Sequence, residues 1–289
     1  MGKGKIKFKI QGHEKFALRD GWLNKGLIII PQNPNVFQGR EGADVFGIGN
    51  NMVKSLRYWM KAFGLMEERP GEGAFLTELG ELIAARDLYL EDNFTLWILH
   101  SYIVKNKEEA TSWYIYFNKC DTEELDKDQI SQIICREITK YTEGQKFSEK
   151  SVRSDVDVLL NMYSKNKEIS DPEDKNISPL INLRLVKSSE GKYTKNHPDR
   201  STVNEWNVLY ELANLMKHSD SVSIERAISD EDGLANVYQL TPIVANELLD
   251  KLDDMGYIKV DRTAGLDMIY KVRNFTPINI INEYYDKYR

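Results

Sequence analysis

The chain has 289 residues and a formal charge of −6, from 39 Lys and Arg against 45 Asp and Glu. The balance is uneven: residues 1–61 hold eleven basic and four acidic side chains, a local +7, which leaves −13 for the remainder. This excludes the uniformly basic coat of a strong nonspecific nucleic-acid binder, but not a local basic surface near the N-terminus.

In chain order, Lys3, Lys5, Lys7 and Lys9 alternate with Ile6, Phe8 and Ile10, the pattern of a strand with one basic face. The segment from Gly12 to Gly26 then places His13, Glu14, Arg19 and Asp20 within eight positions, ahead of Trp22. Ala43 to Gly49 reads as a short helix and a tight turn. Met52, Leu56, Met60 and Phe63 recur at i, i+4, i+8 and i+11, one face of a longer helix, and Gly64 supplies its stop. Leu65–Arg69 and Ala74–Thr77, around Pro70-Gly-Glu-Gly73, form a hairpin signal, and Leu79 to Leu88 a further short helix. Aromatic-rich helices are expected over 93–105 and 111–119, and another from Asp126 to Tyr141. Ser148 has the character of an N-cap before Val152, Val156, Leu159, Leu160 and Tyr163. Polar loops are expected over 165–178 and 195–202, with a hairpin between them from Leu183–Lys187 and Lys192–Thr194. Near the C-terminus, Ala235 to Thr241 reads as a short helix and turn. Val244, Leu248, Leu252 and Met255 follow, then Gly256 and a hairpin from Tyr257–Arg262 and Leu266–Tyr270.

The first and last of these groups align at a constant offset of 192, so that Met52, Leu56, Met60, Phe63 and Gly64 match Val244, Leu248, Leu252, Met255 and Gly256. Helix, turn, longer helix, glycine and hairpin make a winged helix-turn-helix. The middle helix shares the spacing 0, 4, 7, 8, 11 with Met52, Leu56, Trp59, Met60 and Phe63, and so reads either as a third copy or as an ordinary amphipathic helix near an unrelated hairpin. The expected fold is mainly α: two or three winged helix-turn-helix units with short β-hairpin wings and connecting helices. Its expected domains are 1–92, an N-terminal arm and basic winged helix; 93–202, a helical middle region with a second winged helix; and 203–289, an acidic winged helix.

In this motif the second helix enters the major groove, so its polar face decides whether DNA is a partner. Lys54, Arg57, Tyr58 and Lys61 lie at i, i+3, i+4 and i+7, with Asn50 and Asn51 at the helix start, and no acidic residue occurs between Asp44 and Glu67. These six are the expected contacts to double-stranded DNA. The last unit presents Asn246, Leu249, Asp250 and Asp253, flanked by Glu247 and Asp254, which would repel a polyanion and suit packing or a protein partner. The middle unit is mixed, with Lys150 and Arg153 beside Asp155 and Asp157.

Composition bounds the rest. With 41% hydrophobic residues the chain can build substantial cores. Two cysteines, Cys120 and Cys135, do not make a disulfide scaffold or a cysteine-based zinc site. The first residues carry no apolar signal-peptide region, and no apolar run reaches the roughly 18 residues of a membrane span, so a soluble, cytoplasmic protein away from membranes is expected. No phosphate-binding glycine loop is present; Gly47-Ile-Gly49 is too short for a dinucleotide fingerprint. His13, His100, His197 and His218 lack zinc-ligand spacing. Asp171, Glu173 and Lys175 superficially match a carboxylate–lysine nuclease arrangement, but without flanking strands to hold a metal. That leaves the Gly12–Gly26 segment. In one reading His13 is a general base, Glu14 or Asp20 a metal ligand and Arg19 the stabiliser of a phosphorane-like charge. In the other, His13 and Arg19 pair with carboxylates while Phe16, Trp22 and Leu23 pack inward.

Gly12-His-Glu-Lys-Phe16, Arg19-Asp-Gly-Trp-Leu23, Lys25-Gly26 and the run Ile48-Gly-Asn-Asn-Met-Val-Lys-Ser-Leu-Arg-Tyr-Trp-Met-Lys-Ala-Phe-Gly-Leu65 also carry a family resemblance. They resemble a bacterial domain-of-unknown-function family of DNA phosphorothioation operons, which includes the SspB-type, DNA-nicking component of the Ssp modification and phage-defence system. The resemblance implies action on DNA beside a cysteine desulfurase, an ATPase and an ATP-pyrophosphatase-like protein. If the chain nicks DNA, Mg²⁺ or Mn²⁺ is the expected cofactor. The expected function is a DNA-binding component of such a system, and a metal-dependent nickase in its strongest form. The alternative is a non-catalytic winged-helix transcriptional regulator or assembly scaffold.

Overall fold

The computed structural model describes residues 6–39, 41–120, 123–164 and 177–288. Lys3, Lys5, Asp171, Glu173 and Lys175, singled out above, lie outside them. About 53% of the chain is helical, with three small antiparallel sheets among the described residues, so the architecture is mixed α/β rather than mainly α.

After α1 (Trp22–Ile29), the first group is α2 (Gly42–Phe46), α3 (Asn50–Ala62), β1 (Met66–Arg69) and β2 (Gly73–Leu76). Leu56, Met60 and Phe63 of the predicted apolar stripe are fully buried. Gly64 ends α3 at φ 67°, its N–H bonded to the Lys61 carbonyl while Leu65 reaches back to Met60. These are the paired bonds of a left-handed helix stop, which a Cβ would strain. β1 and β2 pair from Met66 opposite Leu76 to Arg69 opposite Gly73. α4 (Glu78–Arg86) follows, capped by the Thr77 hydroxyl, which accepts from the Gly80 N–H at 3.1 Å.

The middle group is β3 (Leu125–Asp126), α7 (Lys127–Tyr141), α8 (Glu149–Ser164), β4 (Val186–Ser189) and β5 (Lys192–Lys195). Asp126 and Gln129 form a reciprocal capping box on α7, and Ser148 accepts from Ser151 N–H at the head of α8, as the sequence pattern predicted. The last group is β6 (Ser221–Ser223), α10 (Ile224–Ser229), α11 (Leu234–Val237), α12 (Pro242–Asp254), β7 (Ile258–Asp261) and β8 (Met268–Lys271). The two three-stranded sheets have the same topology, β3-β5-β4 and β6-β8-β7, in which the strand before the helices pairs with the last strand of the hairpin. In the first group a single bond from Ala74 N–H to the Pro34 carbonyl, at 2.8 Å, stands at the corresponding edge. Gly256 repeats the Gly64 stop at φ 73°, with Tyr257 bonded back to Leu252.

Between the groups run α5 (Asn93–Lys105) and α6 (Thr111–Lys119), aromatic helices buried almost all round. Trp97, Trp113 and Phe117 have no exposed surface and join α5 and α6 to the flanking units. α9 (Glu205–Leu215) and α13 (Pro277–Tyr288), not anticipated from the sequence, pack on each other and close the C-terminal unit.

The N-terminal arm departs from expectation: residues 6–10 form no strand. Their backbone bonds to side chains instead. Lys9 N–H donates to the Thr111 hydroxyl at 3.0 Å, and the Ile6 carbonyl accepts from the Gln145 amide at 3.1 Å. Period-two alternation makes a strand only where a ladder partner exists, and here the neighbours are helices. Among the described residues, no helix is long and apolar enough to cross a membrane.

Candidate nucleic-acid interface

The first group exposes a narrow strip of α3: Asn50, Asn51, Lys54 and Arg57 are exposed and Lys61 is half-buried. These fall at successive turns of one face, as the spacing predicted. Tyr58 is the exception. Its side chain is only 5% exposed, beneath the Gly12 backbone, where a Cβ would collide with the ring. Burial pushes its phenol well above its ordinary pKa, and the nearby charges of Asp155 and Glu109 add to the effect. The α3 flank carrying Tyr58 is covered because Phe16 docks on it: the Phe16 carbonyl accepts from Ser55 Oγ at 3.3 Å and from Trp59 Nε1 at 3.2 Å. Helical spacing locates the apolar stripe but not a second covered flank.

The strip has a counter-charge that the sequence reading missed. Glu68 of β1 accepts from Arg57 Nε at 2.5 Å and lies 3.4 Å from Lys61 Nζ. Partial burial works to raise the Glu68 pKa, but the Arg57 hydrogen bond and charge, with Lys61, outweigh it and hold the carboxyl below its ordinary value. Lys54 Nζ donates to Asn51 Oδ1 at 3.5 Å. An open cavity of about 340 Å³ adjoins the strip, lined by Arg57, Glu68, Arg69 and the Pro34–Gln38 turn.

α12 carries the opposite charge in the same arrangement. Asp250 pairs with Arg262 at 2.7 Å, Asp253 with Lys259 at 3.1 Å, and Glu247 with Arg200. The charges of α3 and α12 are thus each partly neutralised by the hairpin that follows the helix or by a nearby loop. A hairpin folding back onto the helix before it was the available clue.

His13, Glu14, Arg19 and Asp20 do not converge. His13 is completely buried, stacked on Trp59 at 5.8 Å and edge-on to Trp113. Its Nδ1 accepts from the Lys15 N–H at 3.1 Å, so Nε2 carries the ring proton and donates to Asp155 Oδ1 at 2.9 Å. Neither nitrogen is left to take a proton from a substrate. Asp155, from α8, also accepts from Gln11 N–H at 2.7 Å and from Ser112 Oγ at 2.5 Å. Trp22 and Leu23 are buried and Phe16 is half-buried, as the packing alternative expected. The partner of His13, however, comes from 142 residues away. Glu14 is exposed; Arg19 lies over the Phe16 and Trp22 rings; Asp20 is exposed and accepts from Gly21 N–H at 3.0 Å.

The family model described as "Protein of unknown function (DUF4007)" matches residues 10–285. The chain belongs to the DUF4007 family. No curated protein sequence matches this DUF4007 chain. Two solved structures share its fold. A crystal structure of magnesium ion-bound SspB matches at a TM-score of 0.86 and 22% identity, covering 97% of this chain and 89% of the other. A second SspB crystal structure matches at 0.84 and 23%, with the same coverage. Among the described residues, no three His, Cys, Asp or Glu are grouped to hold a metal ion.

Proposed function

We propose that the chain is a DNA-binding component of a bacterial DNA phosphorothioation and phage-defence system, working beside the sulfur-transfer and ATPase proteins of the same operon. We read its three helix–hairpin groups as winged helix-turn-helix units and α3 as the helix that meets double-stranded DNA. The observation that carries this reading is the exposed strip of Asn50, Asn51, Lys54, Arg57 and Lys61 on a helix without acidic residues. Amide side chains at the head of such a helix suit base edges, and the cations beyond them suit phosphates. The resemblance in sequence and the likeness to SspB in fold support the phosphorothioation setting. The test is duplex binding by fluorescence anisotropy across a salt series. Replacing Lys54, Arg57 and Lys61 with Gln should weaken binding and lower the slope of log K against log salt by about 0.9 for each phosphate no longer neutralised. Unchanged affinity would remove α3 from the interface.

A second reading, metal-dependent nicking, is favoured by the fold shared with magnesium ion-bound SspB. Glu14 and Asp20 are both exposed but do not converge, so a metal at either would need water and DNA phosphates to complete its shell. Supercoiled plasmid incubated with Mg²⁺ or Mn²⁺ tests it. Relaxed product that disappears in Glu14→Gln and Asp20→Asn supports the reading, and no relaxed product from the wild type overturns it.

A further inference from the structure

The loop Gln11–Lys15 and α8 border an open groove of about 590 Å³, whose lining includes Gln11, Lys15, Lys150, Ser151, Arg153 and Asp157. From the sequence this part of the chain is weakly acidic, because Glu149, Asp155 and Asp157 accompany Lys150 and Arg153; Glu149 stays exposed in the fold. Folding changes the sum. Asp155 turns inward, 1% exposed, and spends both oxygens on Gln11, His13 and Ser112. Asp157 is held by Lys127 at 2.6 Å, and Arg153 is paired with Asp128 at 3.2 Å. The same fold delivers Lys15 from the far end of the chain. Lys15 and Lys150 are both exposed, and neither is paired with a carboxylate among the described residues.

The loop is built to hold that position. Gln11, Glu14 and Lys15 have φ of 59°, 49° and 66°, left-handed conformations that cost a non-glycine residue about 1 kcal/mol or more each. The buried Asp155 holds the loop against that cost through the Gln11 N–H and the His13 ring. Ser151 Oγ donates to Gln11 Oε1 at 2.7 Å, which leaves the Gln11 amide NH₂ as a donor toward the groove. Two unpaired ammonium groups with neutral hydroxyl and amide donors are suited to phosphate oxygens. On its other side the loop rests on Tyr58, whose neighbours along α3 include Lys54 and Arg57.

We infer that this groove is a second seat for the phosphodiester backbone of duplex DNA, separate from α3. The inference rests on the DNA-binding reading above. The experiment is anisotropy with one duplex across a salt series, comparing wild type, Lys15→Gln/Lys150→Gln, Lys15→Arg/Lys150→Arg and the α3 triple variant. Both lysines are exposed, so the folded state should survive their replacement, which the thermal midpoint checks. The Gln pair should lower the salt slope by about 1.8, from about 0.9 per phosphate, and the affinity roughly tenfold at low salt, while the Arg pair keeps both. A Gln pair that binds like a tightly binding wild type overturns the groove and leaves α3 standing. Weakened binding in the Gln pair but not in the α3 triple variant supports the groove and overturns the α3 assignment. No duplex binding by the wild type overturns both.

Discussion

Asp155 shows how far a single side chain can depart from its sequence context. In the linear pattern it is one of the polar residues between the apolar positions of α8; in the fold it is the buried acceptor for three separate donors. A buried carboxylate costs several kcal/mol unless its lone pairs are met, so the three bonds are a condition of the N-terminal segment docking at all. Asp155→Asn keeps the shape but turns an NH₂ toward at least one of those donors. We expect a destabilisation of about 3 kcal/mol, read as a lower urea midpoint at unchanged slope. Faster amide exchange should appear over Gln11–Lys15, whose left-handed backbone the carboxylate holds. Tyr58 makes the same point for DNA recognition, since a residue at the right helical spacing is no contact when a neighbouring segment covers it.

At the scale of elements, α3 and α12 are matched in sequence and in their glycine stops, yet α3 is covered on a flank that α12 leaves open. Tyr58 and Trp59 are buried on α3, while the positions aligned with them, Asp250 and Lys251, are exposed on α12. The cause lies outside both helices: Phe16 and His13 reach α3. The hairpins then set the electrostatics. On the proposed DNA-binding reading, Glu68 on β1 would compete with phosphate for Arg57 and Lys61, which it contacts in the fold. Glu68→Gln removes that competitor and should raise duplex affinity several-fold at low salt, an effect shrinking as salt screens the surface. Because the folded carboxyl titrates below its ordinary value, its stabilising contribution is complete at neutral pH. It fades as pH falls through that lowered value. Stability in acid should therefore be less pH-dependent in the Gln variant, measured by thermal midpoints on either side of pH 4. Such an exposed pair is worth under about 1 kcal/mol.

Across the whole molecule, α5 joins the groups through buried polar contacts. His100 has no exposed surface; its Nδ1 accepts from the Tyr163 hydroxyl of α8 and its Nε2–H donates to the Val237 carbonyl of α11, both at 2.8 Å. Nearby, the buried Glu211 of α9 takes Lys105 at 2.6 Å, with Ser101 and Tyr238. Burial lowers the His100 pKa to about 3, against a backbone hydrogen bond that acts to raise it. An unfolded chain binds that proton near its ordinary value of about 6.5. Stability therefore falls as pH drops below about 6.5 and continues to fall toward about 3. His100→Gln retains a donor for Val237 but cannot titrate. Its thermal midpoint should be lower than wild type at pH 7 and should fall less between pH 7 and pH 5. Equal slopes in the two proteins would place the acid sensitivity elsewhere.

The sequence by itself determined the periodic helices, the glycine stops at 64 and 256, the repeated order of helix and hairpin, and the concentration of positive charge in the first 61 residues. These are local or evenly spaced features, and a helix or turn records them in its own residues. Only the tertiary structure decided which charges face solvent. Asp155 is drawn inside, Glu68 and the carboxylates of α12 are matched with cations from hairpins and loops, and Lys15 is carried to α8. Each of these depends on contacts between residues remote in the chain, whose geometry no spacing rule encodes. Charge sums along a segment count every ionisable side chain, whereas a polyanion meets only those left exposed and unpaired.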